Sequence, residues 1–278
     1  MPTSPLIPLQ QSPRYAKTLR HLGRSVRVLH VSDEPPVIAV GRHFGPLHVS
    51  YLPRADLSGR RRDVLRRLPR AATRLIVPEE GTSLGGAYPI LTPQYVAEIN
   101  VPTAPVHDRL WANMHGKWRN RLRRALDGPL TTRQSDFSPR RHNALLVLEQ
   151  KQSKARGYRG YPPDFLRAYA QVNHRQTVML EALLNDQPVA FMLFLLHGAV
   201  ATYAVGWTGP EGRKLSAHNL LMWEAMRSFF SKGIRRIDLG TIDTEGGRDL
   251  ARFKLGCGAR VRSLGSTLLV PPGFRVSP

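Results

Sequence analysis

Cysteine and acid are both scarce in this chain of 278 residues. Its one cysteine, Cys257, excludes an internal disulfide framework and any zinc site built on cysteine thiolates, and it suits a reducing compartment. The ten histidines are scattered, with neither His-x-x-x-His nor HExxH spacing, so no metal site is expected. The amino terminus, "MPTSPLIPLQQSPRY", lacks the early positive charge and apolar core of an export signal, and a cytoplasmic protein is expected. Acid is outnumbered: 20 Asp and Glu against 41 Lys and Arg leave a formal charge of +21. That surplus favours a polyanionic partner such as RNA, a phosphorylated substrate or an anionic surface. An arginine-rich composition is the plainer source of the same number, because net charge speaks of association and not of chemistry.

One apolar stretch, "VAFMLFLLHGAVATYAVGW", residues 189–207, carries no Asp, Glu, Lys or Arg for nineteen positions, close to a membrane span. His197 and Gly198 divide it, and its halves are rich in Val, Phe, Thr and Tyr, so it reads as two buried strands joined by a tight turn.

What is present falls into two parts, residues 1–105 and 106–278. The first alternates short β-like runs ("VRVLHV", "PVIAVGRHFGPLHVSYL", "RLIVP", "YVAEINV") with one cationic segment from Arg54 to Arg74. Val64, Leu65, Leu68 and Ala72 give that segment a thin apolar stripe on a helix. In the second part, Trp111, Met114, Trp118, Leu122 and Ala125 recur at steps of three and four through "DRLWANMHGKWRNRLRRAL", which predicts one helix with a cationic outer face. Helices follow at "RRHNALLVLEQKQSKAR" and "PPDFLRAYAQVN", separated by the loop "GYRGYPP" with Tyr158, Arg159 and Tyr161. The order continues with strands "TVMLEALL", "PVAFMLFLL" and "VATYAVGW", a loop, the long apolar helix "HNLLMWEAMRSFFSKG", a strand "RRIDLG", a short helix "GRDLARFKLG" and a last strand "RVRSLGSTLLV". Strand, loop, helix and strand make a right-handed crossover whose loop and helix start, Gly212 to His218, offer N–H groups to an anion.

This order resembles the GNAT acyltransferase fold. The wording "AHNLLMWEAMRSFFSKGIRRIDLGTID" followed by "LARFKLGCGA" is similar to the FemABX-type aminoacyl transferases and their BioF2-like acetyltransferase relatives, over about Leu110 to Val270. The resemblance implies an α/β (α+β) architecture of GNAT-like mixed sheets flanked by helices, with a reduced first half and a complete second. It also implies transfer of an aminoacyl group from aminoacyl-tRNA to an amine on a cell-wall precursor. In the family's "FK" pair the lysine steadies the intermediate and the phenylalanine carbonyl orients the nucleophile, roles that fall here on Lys254 and Phe253. The chemistry asks for such a cation on its own terms. When an amine attacks an ester or thioester, negative charge grows on the carbonyl oxygen, and one positioned donor lowers that barrier by ~2.7–4 kcal/mol.

No residue is an obvious base. Asp238, at the end of the "RRIDLG" strand, is the first candidate, ahead of Asp243 and Glu245 in the loop beyond. Cys257, between glycines, reads as a small buried filler. Gly212, Arg213, Lys214, Ser216, His218 and Asn219 are the expected donor-binding residues. That stretch lacks the glycine-rich pyrophosphate loop usual in members of the superfamily that use acetyl-CoA, so the choice between aminoacyl-tRNA and acyl-CoA as cosubstrate stays open, with aminoacyl-tRNA favoured by the charge. No tightly bound cofactor is expected. Tyr158, Arg159, Tyr161 and Tyr203 are the expected acceptor contacts, the acceptor being a cell-wall precursor, lipid amine, peptide or small metabolite. Arg61, Arg66, Arg70, Lys117, Arg121 and Arg124 are the expected tRNA contacts. A non-catalytic RNA- or surface-binding protein on the same fold is the reading from another class.

Overall fold

The computed structural model describes residues 5–31, 33–102, 106–158, 160–243 and 247–273. The chain divides into two compact units that are not successive halves: residues 7–96 join with 262–278, and 97–261 join with 1–6.

In the first unit, α1 (Pro13–His21) precedes β1 (Ser25–Leu29), β2 (Val37–Phe44), β3 (Leu47–Ala55), α2 (Arg61–Arg67), β4 (Thr73–Pro78) and β5 (Tyr88–Leu91). Ser12 caps α1 through its hydroxyl, which accepts from Tyr15 N, with Pro13 at the first helical position. The long run from Pro36 to Leu52 is a hairpin, β2 against β3 with Val40 opposite Tyr51. The cationic segment is less helical than its stripe suggests. Leu68 turns extended at the end of α2, leaving Arg70 and Ala72 outside the helix. Arg54, Arg60 and Arg74 are buried rather than presented to a partner, with Arg54 paired to Glu79 at 2.9 Å and the Arg60 guanidinium donating to the Pro35 carbonyl at 2.5 Å.

The second unit begins in β6 (Tyr95–Asn100) and runs through α3 (Val106–Asn113), α4 (Gly116–Leu126), β7 (Thr131–Ser135), α5 (Pro139–Arg156), α6 (Pro163–Val172), β8 (Thr177–Leu184), β9 (Gln187–His197), β10 (Val200–Thr208), α7 (Pro210–Lys214), α8 (Ala217–Ser231), β11 (Arg236–Thr241), α9 (Arg248–Gly256) and β12 (Arg260–Ser263). The single helix expected over 108–126 is broken, because His115 is extended (φ −66°, ψ 145°) and separates α3 from α4. The expected last strand is likewise two. β12 pairs in the second unit's sheet, whereas β13 (Thr267–Val270) pairs antiparallel with β4 and β5 in the first. Nothing in "RVRSLGSTLLV" marks that change of sheet except Gly265, whose backbone lies so close to the Glu80 carbonyl that a Cβ would stand 2.7 Å from it.

Both sheets are mixed and flanked by helices. Their strand orders are β1-β2-β3-β4-β13-β5 and β12-β6-β11-β10-β9-β8-β7. The charge-free stretch is the β9–β10 hairpin, with His197 opposite Val200 and Gly198 supplying the φ of +66° that the turn needs. Alternate residues of β8, β9 and β10 (Leu180, Met192, Phe194, Ala201) pack on one face against Trp223, Met226 and Phe229 of α8 and Trp118 and Leu122 of α4. Being apolar on most sides, α8 must be covered in this way, and that packing fixes where its amino terminus points. No helix among the described residues is long and apolar enough to cross a membrane.

Candidate active site

The site begins where two parallel strands stop pairing. β10 and β11 are in register only at Val200–Arg236, Ala201–Ile237 and Thr202–Asp238, yet β10 continues to Thr208 and β11 to Thr241. Each strand supplies a reason for the parting. β10 has a bulge between Tyr203 and Val205 in its pairing with β9, which bends it, and β11 turns at Gly240 (φ +74°). Backbone groups from Tyr203 onward on one arm and from Leu239 onward on the other are thus left without the partner strand they would otherwise have.

Asp238, expected to end its strand, lies within β11 as the last residue paired with β10 and is 1% exposed. Its Oδ1 accepts from Gly240 N at 2.8 Å, tying down the turn. Lys254, on α9, reaches the same turn. Its Nζ donates to the Thr241 carbonyl at 2.8 Å, and a Cβ on Gly240 would lie 4.0 Å from it. The side chain is buried, with 6% of the residue exposed. Burial pulls the ammonium down from 10.5 to about 8, and the Asp238 carboxylate opposes that pull, so the group is still mostly charged at neutral pH. An ammonium has three donors; Thr241 takes one.

Phe253 packs between two rings, Trp118 and His218, each with its centroid 6.0 Å away. Its carbonyl accepts a helical bond from Cys257 N at 3.2 Å and retains a second lone pair. Cys257 is buried, its thiol donates to the Lys254 carbonyl at 2.9 Å, and burial pushes it up to about 12, so it supplies no thiolate.

The expected donor-binding residues separate into different places. Instead of an open loop, residues 210–214 form α7, and Ser216, left-handed at φ 57°, joins it to α8. Gly212 is buried against β9: a Cβ there would lie 2.4 Å from the Val189 carbonyl oxygen and 2.7 Å from Thr208 Oγ1. Gly212→Ala should therefore destabilise by about 1–3 kcal/mol or more through overpacking. Its gain in helix propensity, about 1 kcal/mol, is too small to offset this. A urea denaturation midpoint equal to or above that of the parent would contradict the packing.

His218 uses Nε2 on the Trp207 carbonyl at 3.0 Å, and burial pulls its imidazole down to about 4, which leaves it a neutral latch between α8 and the end of β10. Lys214 is exposed and pairs with Glu211 at 2.7 Å. Asn219 is buried, and its Nδ2 has no hydrogen-bond partner among the described residues. Arg213 donates to the Thr208 carbonyl at 2.8 Å and borders a pocket of about 330 Å³. Lys151, Gln152 and Arg156 of α5 line its other side, with Trp207 and Thr208 from β10.

Of the expected acceptor contacts, Tyr158 is half-buried and its hydroxyl accepts from Gln152 Nε2 at 2.9 Å. Tyr161 stacks on Phe165 at 5.2 Å, and Tyr203 sits at the β10 bulge with its ring 5.5 Å from Phe194. Arg159 and Glu245 lie outside the described residues. The expected tRNA contacts Arg61, Arg66, Arg70, Lys117, Arg121 and Arg124 are all exposed.

Sequence reasoning missed Glu149, Lys151, Gln152 and Arg156. A signal for Glu149 existed: in "ALLVLEQ" it lies four residues after Leu145 and three after Leu146, on the buried face of α5, where a carboxylate is unusual.

Residues 112–255 match the family model described as an acetyltransferase (GNAT) domain. Among solved structures, FemX superposes with a TM-score of 0.75 at 13% identity, covering 98% of this chain and 93% of its own. The L-PGS structure from Bacillus licheniformis gives 0.58 at 13% identity, covering 96% and 90%. At these identities the likeness is one of fold. No curated protein sequence matches significantly.

Proposed function

Because the chain belongs to the acetyltransferase (GNAT) domain family, matched over 112–255, and is thus an acyltransferase, we propose that it carries an aminoacyl group from aminoacyl-tRNA to an amine. The observation that carries this reading is the buried Lys254 ammonium at the parted ends of β10 and β11. An ester carbonyl between the arms meets a cation poorly screened by water. As the amine adds, the carbonyl oxygen becomes anionic and the Lys254 charge stabilises it. The tetrahedral centre then collapses, the new C–N bond stays, and the ester C–O bond breaks to release the ribose hydroxyl of the tRNA. Phe253, through its carbonyl, orients the amine, and Asp238 holds the turn and favours the charged lysine. His218 and Gly212 serve by fixing α7 and α8.

For the donor, the support is electrostatic. Lys117, Arg121 and Arg124 recur at steps of four and three along α4, beside the buried stripe of Trp118, Leu122 and Ala125, and so form one exposed cationic stripe. Acyl-CoA is the second reading, favoured by the pocket where Lys151, Arg156 and Arg213 offer three cations to a diphosphate. A cytoplasmic location and a reduced GNAT-like first unit belong to the same reading. Hydroxamate formed above the protein-free rate, from aminoacyl-tRNA or acetyl-CoA with hydroxylamine as a generic acceptor, separates the two. Aminoacyl hydroxamate, with no acetyl hydroxamate, is expected. The opposite pattern would transfer the assignment to the thioester, and no product from either donor would favour the binding-protein reading.

A further inference from the structure

The reaction needs a group to take the proton from the incoming ammonium, and Asp238, already engaged by Gly240 N, is poorly disposed for it. The β10 arm carries another carboxylate. Glu149 of α5 is 4% exposed, and its Oε1 has no hydrogen-bond partner among the described residues. A buried carboxylate oxygen left bare costs stability and is retained where it has a use. Its neighbours join it to β10 beyond the bulge. A Cβ on Gly160 would lie 3.7 Å from Glu149 Oε1, 3.6 Å from the Ala204 carbonyl and 2.8 Å from Val205 Cγ1, so the Gly160 backbone bridges Glu149 and the arm. One turn along α5, Gln152 Nε2 donates to Tyr158 Oη at 2.9 Å and approaches the Gly206 carbonyl at 3.5 Å. With its oxygen accepting from Gln152, the Tyr158 hydroxyl is turned to donate to the Glu149 carboxylate. A chain Gln152–Tyr158–Glu149 therefore rests on the β10 arm, as Lys254 rests on the β11 arm.

We propose that Glu149, assisted by Tyr158, is the proton acceptor for the attacking amine. This rests on the acyl-transfer reading. The ammonium gives one proton to the carboxylate, the freed lone pair forms the C–N bond, and as the centre collapses the second surplus proton, now on that nitrogen, passes to the departing oxygen or sulfur, while the Glu149 carboxyl returns its proton to solvent. The carboxylate suits this role, since burial lifts its carboxyl from 4.5 to about 7, while the Tyr158 hydroxyl bond works in the opposite direction. The other titratable groups around it are Tyr203 from β10, whose phenol is held neutral by burial, and Arg156 from α5, which acts on Tyr158.

Two acceptors test this with labelled aminoacyl-tRNA: methylamine, which must lose a proton to react, and hydroxylamine, already neutral near pH 7. With methylamine, Glu149→Gln should lower kcat/KM by roughly 10²-fold or more and abolish the acid limb near pH 7. With hydroxylamine it should change little. Tyr158→Phe should move the acid limb to higher pH and keep the plateau, because the carboxylate loses the donor that favours its charged form. An equal loss with both acceptors, or an acid limb unchanged in Glu149→Gln, overturns the assignment. If Glu149→Gln does not fold, an unmoved limb in Tyr158→Phe overturns it instead. Failure of the parent protein to transfer to hydroxylamine from either donor contradicts the acyl-transfer reading itself.

Discussion

Lys254→Ala is expected to lower kcat at saturating donor by about 10²–10³-fold while leaving donor affinity unchanged, the signature of an interaction made in the transition state only. The acting form is the ammonium, present below its pKa of about 8, so the rate should fall as pH rises through that value. With Glu149 required in its charged form above about 7, the profile is a narrow bell whose two limbs belong to opposite arms of the split strands. Lys254→Arg keeps its charge throughout and should lose the basic limb, whatever its residual rate. The lysine is also a cost to the fold. Its native pKa lies below the 10.5 of an unfolded chain, so the native state resists the proton that the unfolded state holds. This penalty, on the order of 3 kcal/mol, is fully present below about pH 8 and relieved as pH rises towards 10.5. Lys254→Met should thus melt no lower than the parent at pH 7 despite losing activity. A sharp fall in Tm would make Lys254 a structural residue and remove its role in transfer.

The second large effect concerns tRNA. If Lys117, Arg121, Arg124, Arg61, Arg66 and Arg70 each meet a phosphate, raising salt from 50 to 200 mM should weaken tRNA binding by roughly 10³-fold through counterion release. Reversing Lys117, Arg121 and Arg124 to Glu should flatten the slope of log K against log salt by about two to three. Because these side chains are exposed and Trp118, Leu122 and Ala125 carry the packing of α4, that triple variant should fold normally. Filter binding across a salt series reads both. A salt-insensitive affinity would place the cationic surplus with composition and leave acyl-CoA as the donor.

The apolar stripe shared by α3 and α4 was legible in the sequence because a helix period needs only the spacing of Trp111, Met114, Trp118, Leu122 and Ala125. The break at His115 was not, since it comes from one extended residue inside an intact apolar pattern. The β9–β10 hairpin was legible from composition and Gly198. The destination of β13 was not, because strand pairing in another sheet is a non-local contact that alternation alone does not specify. At the site, Phe253 and Lys254 came from a resemblance, and the structure adds what no motif holds: burial, the Thr241 bond and the parting of β10 from β11. Gly212 was read as a donor-binding residue, and the structure adds that its lack of a side chain lets α7 close on Val189. Glu149 escaped because its chemistry arises from desolvation, a property of surroundings drawn from α5, β10 and the loop at Gly160.

The central claim is that Lys254 is a desolvated ammonium held at the split strands, and its own titration tests that most directly. In protein labelled with ¹³C at the lysine Cε, one resonance, absent from Lys254→Met, should titrate with a midpoint of about 8. A midpoint at the ordinary 10.5 would mean a lysine bathed in water, and the site between the split strands would have no charge at its centre.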